Sequence, residues 1–576
     1  IVTAKAAGET VITATCGTVK AECAVTVTPP VMASAVTLDK TELNLYTGDT
    51  AALTAAIQPE DTTDPTIAWT TTDAEVASVQ NGVVTAGKTG TATITASCGE
   101  AKAQCAVTVK APAEPAQKDG VYQIGNADEL VWFVKKVNGG ENAISAVLAK
   151  DIDLADVVWA PIGNGSVAFA GSFDGAGHTV SNLTVDYTTA ASGERLYLGL
   201  FGQVEGTPEK HAVIQNLTVT GSVNAASEFS VYTGYVAGVV GSARNAELSK
   251  VISRVNVTAD EKVGNAASVG GLAGAMINTT VTNCGNEGNI TGVKNLGGLC
   301  YEIYGGTMTG CYNTGRVTAT GTYVGGLMGY AKQATVTNVY NTGDVSTEKT
   351  LVGGLIGVME KSALTNAYTT GKVTTAAASG AIGAAVGSAD QVSNVYYLGG
   401  ASAIGDENAT AKTAEELKAL APTLGSSFKE NTGCGGYPLL AWQEARAHQY
   451  EDGVCTVCGA KDPAAPYLLD GVTDAAAEVQ TGKSYQLDDL MDGKIFGVKN
   501  GTLTYKNYFY SMSSDGGATW SGEQHFEEAM FGGVNKSLIQ SKAGTYIYKF
   551  RAKNDAGYSA DTWTLTLTFV DVVEAN

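Results

Sequence analysis

VGGLAG begins at Val269, LGGLCY at Leu296, VGGLMG at Val324, VGGLIG at Val352 and IGAAVG at Ile382, in steps of 27, 28, 28 and 30 residues. Between them run NCGNEGNI from Asn283, GCYNTGRV from Gly310, NVYNTGDV from Asn338 and NAYTTGKV from Asn366. Looser copies lie upstream, YLGLFG at Tyr197 and VAGVVG at Val236. A repeat of this length, made of short β stretches and glycine corners, cannot bury its apolar face alone and must stack on its neighbours. The solution expected is a right-handed parallel β-helix. Leu183, Leu217, Val251, Cys284, Cys311, Val339, Ala367 and Val395 share one repeat position and form its predicted inward column. The residue before them is mostly Asn (Asn182, Asn216, Asn283, Asn338, Asn366, Asn394), which suits a ladder of stacked turns.

Outward from this block the chain remains β-rich. It has 70 Gly but 12 Pro, with Thr, Val and Ala dominating many stretches, a mix for short strands joined by glycine turns. Near the start, IVTAKAAGETVITATCGTVKAECAVTV from Ile1 recurs as VVTAGKTGTATITASCGEAKAQCAVTV from Val83. Thr91–Cys98 and Cys105–Val109 alternate apolar and polar, so each copy ends in a hairpin with one buried face. The predicted class is all-β, immunoglobulin-like sandwiches flanking the β-helix. Residues 1–29 are expected to be the end of one sandwich and 30–112 a complete one. The β-helix and a capping segment take 113–445, a Cys/His linker 446–465, and an immunoglobulin-like or fibronectin-like sandwich 466–576. Thr413–Leu420 is the one convincing short helix, with Thr413 as cap and Glu416 three positions on.

LDKTELNLYTGDTAALTA and the GTATITA…CAVTV close resemble the group 2 bacterial immunoglobulin-like (Big) domain, a spacer of surface proteins. The glycine-leucine-x-glycine signature, with the lead-in YQIGNADELVWFVKKVN and the close GGYPLLAW, resembles GLUG repeats over about Asp119 to Gln443. That resemblance implies a Gram-positive surface adhesin or an accessory region of an immunoglobulin A peptidase; chemistry is not a property of the repeat.

The formal net charge of −21 disfavours nucleic acid and anionic membrane, which need clustered Lys and Arg. No apolar run approaches the ~20 residues of a bilayer span. Residue 1 is expected to lie inside a strand, making the chain a piece of something longer, extracellular and attached to the cell surface through regions outside it. A glycan or a host surface protein is the expected partner.

Four constellations carry candidate chemistry. His448-x6-Cys455-Thr-Val-Cys458-Gly459 has zinc-knuckle spacing, with Cys434 as a further ligand for a structural zinc; the alternative is a linker with idle or disulfide-linked thiols. Cys16/Cys23 and Cys98/Cys105 recur at identical spacing, as cross-strand disulfides or as buried thiols. Cys284 and Cys311 read as packing residues. Tyr312, Tyr340, Tyr368 and Tyr396 follow the inward column and are expected to stack outward, offering a glycan platform with Asn313 and Asn341 as donors. The alternative is that they pack beneath residues 401–443.

Enzyme readings are weaker. None of the four histidines sits in H-E-x-x-H, and there is no G-x-S-x-G. Ser513–Trp520 (SSDGGATW) matches the Asp-box of sialidases, but as a single hairpin turn. The alternative to a surface protein is a polysaccharide lyase or glycosidase using Asp151, Asp153, Asp174 and His178 at the β-helix entrance.

Overall fold

Stacking of the repeat produces one long sheet and two shorter seven-stranded ones that share an interior. Strand pairing between coils is parallel, and the signature stacks on itself: Val269 pairs with Leu296, Leu296 with Val324, Val324 with Val352 and Val352 with Ile382. The computed structural model describes residues 1–187, 195–226, 233–264, 267–377, 382–402, 405–451, 454–456, 460–462, 464–469, 472–486, 495–498, 503, 507–525, 537–540, 542–554, 557–559 and 562–571. The chain divides into two units, Ile1–Leu417 and Lys418–Asn576. It is all-β, with an immunoglobulin-like module followed by a β-solenoid.

The predicted inward column is buried throughout, from Leu183 at 0% exposure to Val395 at 3%. One continuous core runs from Tyr122 to Val395. Before this column the chain turns through the left-handed region, with φ between 51° and 58° at Asn182, Asn216, Lys250, Asn283, Asn338, Asn366 and Asn394. Asn tolerates that conformation better than other non-glycine residues, which accounts for the asparagine column. Where the side chains reach each other they add a second bond, Asn366 Nδ2 to Asn338 Oδ1 at 3.1 Å and Asn394 Nδ2 to Asn366 Oδ1 at 2.6 Å.

The second glycine of each GG pair has a steric cause. A Cβ on Gly298 would lie 2.1 Å from the Gly326 carbonyl oxygen and 2.4 Å from Asn313 Cγ. The glycine leaves room for a polar side chain inside the coil.

The solenoid opens under a helix that the sequence reading missed, Ala127–Asn138. Its buried face, including Leu130, Phe133, Val134 and Val137, recurs at helical spacing. The side chain of Asn126 accepts from Glu129 N at 3.0 Å, and Glu129 Oε2 accepts from Gly125 N at 2.6 Å. Phe133 meets Phe169 and Phe173 edge-on at 6.1 and 6.0 Å between centroids, closing the end of the core. The expected short helix is also present, Ala414–Lys418, with Glu416 N donating to Thr413 Oγ1 at 3.3 Å.

In the immunoglobulin-like module, Glu42–Tyr46, Ala101–Lys110, Gly90–Cys98 and Ala68–Thr71 form one sheet over a core that includes Leu45, Ile94 and Val107. It is tied to the solenoid's helix by Tyr46 Oη, which donates to Asp128 Oδ1 at 2.6 Å, and by the Lys135–Asp49 ion pair. The expected disulfides are corrected by hairpin register. Cys98 lies opposite Ala101 and Cys105 opposite Ile94. Four residues along a strand separate them by about 14 Å, against the roughly 7 Å limit for bridged Cα atoms. Cys16 and Cys23 stand in the same relation, and all four are free thiols.

In the second unit, Ala475–Gln480, Trp563–Val570, Gly544–Asn554 and Tyr508–Ser513 pair in that order over Tyr508, Tyr548, Phe550, Leu565 and Phe569. The Asp-box is the turn after Tyr508–Ser513. Asp515 accepts from Thr519 Oγ1 at 2.6 Å, Thr519 N at 2.9 Å and Ser513 Oγ at 2.7 Å. These bonds hold its carboxyl well below the usual carboxylate range.

Candidate metal centre

Cys434, His448 and Cys455 converge, with one ligand atom from each lying within 4.8 Å of the others. Local structure aims each one. Gly433 N donates to Asn431 Oδ1 at 2.9 Å and Asn431 Nδ2 to the Cys434 carbonyl at 3.0 Å, folding the chain tightly before the first thiol. Cys434 N then donates to Arg446 O at 2.8 Å, drawing the His448 segment alongside. Cys455 ends the short hairpin Tyr450–Glu451 with Val454–Cys455, and its N–H donates to Ala460 O at 2.7 Å. The His448 ring stacks on Tyr450 with centroids 5.2 Å apart and planes 20° from parallel.

The sulfur–sulfur distance fits zinc. Cys434 Sγ and Cys455 Sγ are 3.6 Å apart, too far for a disulfide. A tetrahedral zinc with sulfur ligands at about 2.3 Å and nitrogen at about 2.0 Å has ligand–ligand edges of about 3.5–3.8 Å. Two thiolates and an imidazole are the soft and borderline donors that zinc prefers over calcium or magnesium. Cys455 is buried and the other two are partly covered, as in a structural site. Cys458, the fourth ligand in the sequence reading, lies outside the described residues.

The tyrosine ladder forms but is covered. Tyr312 and Tyr340 stack at 5.4 Å, and Tyr340 and Tyr368 at 5.1 Å. Their exposures are 4%, 3% and 1%, so the expected open strip is corrected: no ring face is presented. Tyr312 Oη donates to Glu287 Oε1 at 2.7 Å; Tyr396 is half-buried, with its hydroxyl on Asn394 Oδ1.

Asn313 and Asn341 are corrected more sharply, because they are fully buried inside the solenoid. Asn286 Nδ2 donates to Asn313 Oδ1, and Asn313 Nδ2 to Asn341 Oδ1, both at 2.8 Å; Asn341 Nδ2 donates to Gly354 O at 2.8 Å. Each amide also closes a turn onto the glycine two residues on, as Asn313 Nδ2 does to Gly315 O at 2.7 Å. Asn286, missed by the sequence reading, was signalled by the shared N-x-G triplet.

The acids at the solenoid entrance are spent on turns. Asp151 Oδ1 accepts from Thr179 N at 2.9 Å and lies 3.1 Å from His178 Nδ1. Asp153 Oδ1 takes Asn182 Nδ2 at 2.8 Å and Ala155 N at 2.9 Å. These contacts hold both carboxyls below their ordinary range, the Thr179 amide leading for Asp151 and the Asn182 amide for Asp153. For Asp174, burial pushes upward, but the donors Asn216, Ala176 and Gln215 together outweigh it and its pKa is lowered too.

Among the described residues no helix is long and apolar enough to cross a membrane. Among solved structures, the S-layer protein SbsC is 22% identical over 19% of this chain and 18% of its own, with a TM-score of 0.15. An IgA1 protease is 14% identical over 54% of this chain and 22% of its own, with a TM-score of 0.29. An uncharacterized protein of Clostridium acetobutylicum is 31% identical over 135 residues, 22% of this chain and 13% of that protein. Halomucin of Haloquadratum walsbyi is 34% identical over 97 residues, 17% of this chain and 1% of that protein. The chain therefore spans only a small part of the curated relatives it matches. Residues 32–109 match the bacterial Ig-like domain (group 2), the module that the opening repeat resembles.

Proposed function

We propose that this chain is a length of a non-enzymatic extracellular surface protein. Immunoglobulin-like modules act as spacers, and a GLUG-type solenoid is a rigid platform for a glycan or another surface protein. A structural zinc held by Cys434, His448 and Cys455 staples the segment around it. The observation that carries the reading is the use made of the entrance acids. A glycosidase needs a pair of carboxyls free to meet the substrate, whereas Asp151, Asp153 and Asp174 are each engaged by turn-capping donors, Thr179 N, Asn182 Nδ2 with Ala155 N, and Asn216 Nδ2 with Gln215 Nε2. The match to the group 2 Ig-like domain and the stretch shared with halomucin support an extracellular place.

The test is incubation of the chain with neutral and uronate polysaccharides, following reducing ends and unsaturated-uronate absorbance. The expected result is no release above a heat-denatured control. Release that Asp174→Asn abolishes would establish the carbohydrate-active alternative instead.

A further inference from the structure

A cleft of about 980 Å³ opens between strand Glu42–Tyr46 of the immunoglobulin-like module and the first solenoid coils. That is the upper end of the usual range for small-molecule sites, and module junctions are where such sites concentrate. Two of its rings are fixed in advance. Trp159 Nε1 donates to Leu200 O at 3.2 Å. Tyr197 stacks on Tyr235 at 5.2 Å, and Gly165 lies so close that a Cβ there would sit 3.2 Å from Tyr197 Cε2. Tyr187, half-buried, is the third lining ring. The Tyr46–Asp128 bond and the Lys135–Asp49 ion pair join the modules that form the cleft walls. A ligand would thus meet the fixed Trp159 and Tyr197 rings and lose little free energy to their reorganisation.

The charged lining is acidic on balance. Glu42, Asp156 and Asp186 are exposed in the cleft. Glu42 and Asp156 have no side-chain partner among the described residues, and Asp186 uses one oxygen on Asn224 Nδ2 at 2.7 Å. Against these three carboxylates stand Lys40 and Arg195. Polyanions are disfavoured. Aromatic side chains beside carboxylates suit a ligand with apolar C–H groups and many hydroxyl donors.

We propose that this cleft binds a neutral oligosaccharide, its apolar C–H groups packed against Tyr187 and the part of Tyr197 that Tyr235 leaves uncovered, and its hydroxyls on Glu42, Asp156 and Asp186. The proposal deepens the platform reading and rests on it. The test is calorimetric titration of the full chain with hexaoses of glucose, mannose, xylose and N-acetylglucosamine, and with hexalysine as the cationic comparison. At least one hexaose is expected to bind. Tyr197→Ala should weaken it about five- to tenfold, the loss of one aromatic contact, and Glu42→Gln with Asp156→Asn should weaken it further. Tyr304→Ala, an exposed ring outside the cleft, should leave affinity unchanged. Circular dichroism of each variant confirms folding. Binding of no hexaose, binding that survives Tyr197→Ala in a folded chain, or binding of hexalysine alone overturns the proposal. A hexaose that binds and is then cleaved would sink the non-enzymatic reading while leaving the cleft in place.

Discussion

Asn313 is fully buried with both ends of its amide engaged, accepting from the coil before and donating to the coil after. In a low-dielectric interior such a chain is stabilising only while complete. Asn313→Ala takes one partner each from the Asn286 amide, the Asn341 amide oxygen and the Gly315 N–H, and should cost about 2–4 kcal/mol by the usual penalty for buried groups left short of partners. Chemical denaturation should show a lower midpoint, and Asn313→Asp should be no better. Glu302 offers the opposite case. Burial pushes its carboxyl above the ordinary range, with Lys332 pulling back more weakly. A folded-state pKa above the unfolded value means that the contribution to stability is fully present below the unfolded pKa. It is lost as pH rises through the folded pKa. Glu302→Gln should therefore raise the thermal midpoint at pH 7, and the gain should vanish in acid. An equal gain at both pH values would assign the effect to something other than this proton.

At the scale of the element, the coil is specified by the position of its inward side chains. Val339 is buried at 0% exposure and pairs in register with Ala367 on the next coil. Val339→Asp places an unpaired charge there, and a loss of several kcal/mol or failure to fold is expected. Soluble, cooperatively melting Val339→Asp protein would contradict the register. These coils were legible because a 28-residue period repeats one burial pattern several times. The capping helix Ala127–Asn138 occurs once, so only its own apolar spacing and its Asn126–Glu129 cap announced it.

At the scale of the whole molecule, two compact units with separate cores should melt separately. Zinc binding to the folded Cys434–His448–Cys455 site would stabilise only the second unit, by mass action. Protein purified without chelator should carry about one zinc per chain, lost on joint replacement of Cys455 and Cys458 by Ser. In scanning calorimetry a chelator should lower the transition of the second unit by several degrees and leave the solenoid's unmoved. A solenoid transition that shifts as much, or protein without metal, would return the cysteines to the role of an idle linker.

The sequence by itself determined the all-β class, the repeat length, the inward column and the asparagine corners. Each is a local demand, set by period-2 burial or by a left-handed turn, and repetition makes it visible. Strand parity also contained the truth about Asn313, which is two residues from inward Cys311 and so shares its face. Setting it beside Tyr312 as an outward donor broke that rule. Only the tertiary structure decided the rest. An outward ring is exposed only if nothing packs over the sheet, and no strand pattern records what does. Two cysteines seven residues apart are near or far according to where the hairpin turns, and a two-residue turn at Gly99 puts Cys98 beside it and Cys105 out of reach. The convergence of Cys434 on Cys455 and the cleft beside Tyr197 depend on segments distant in the chain meeting in space, which is a property of packing rather than of any one stretch.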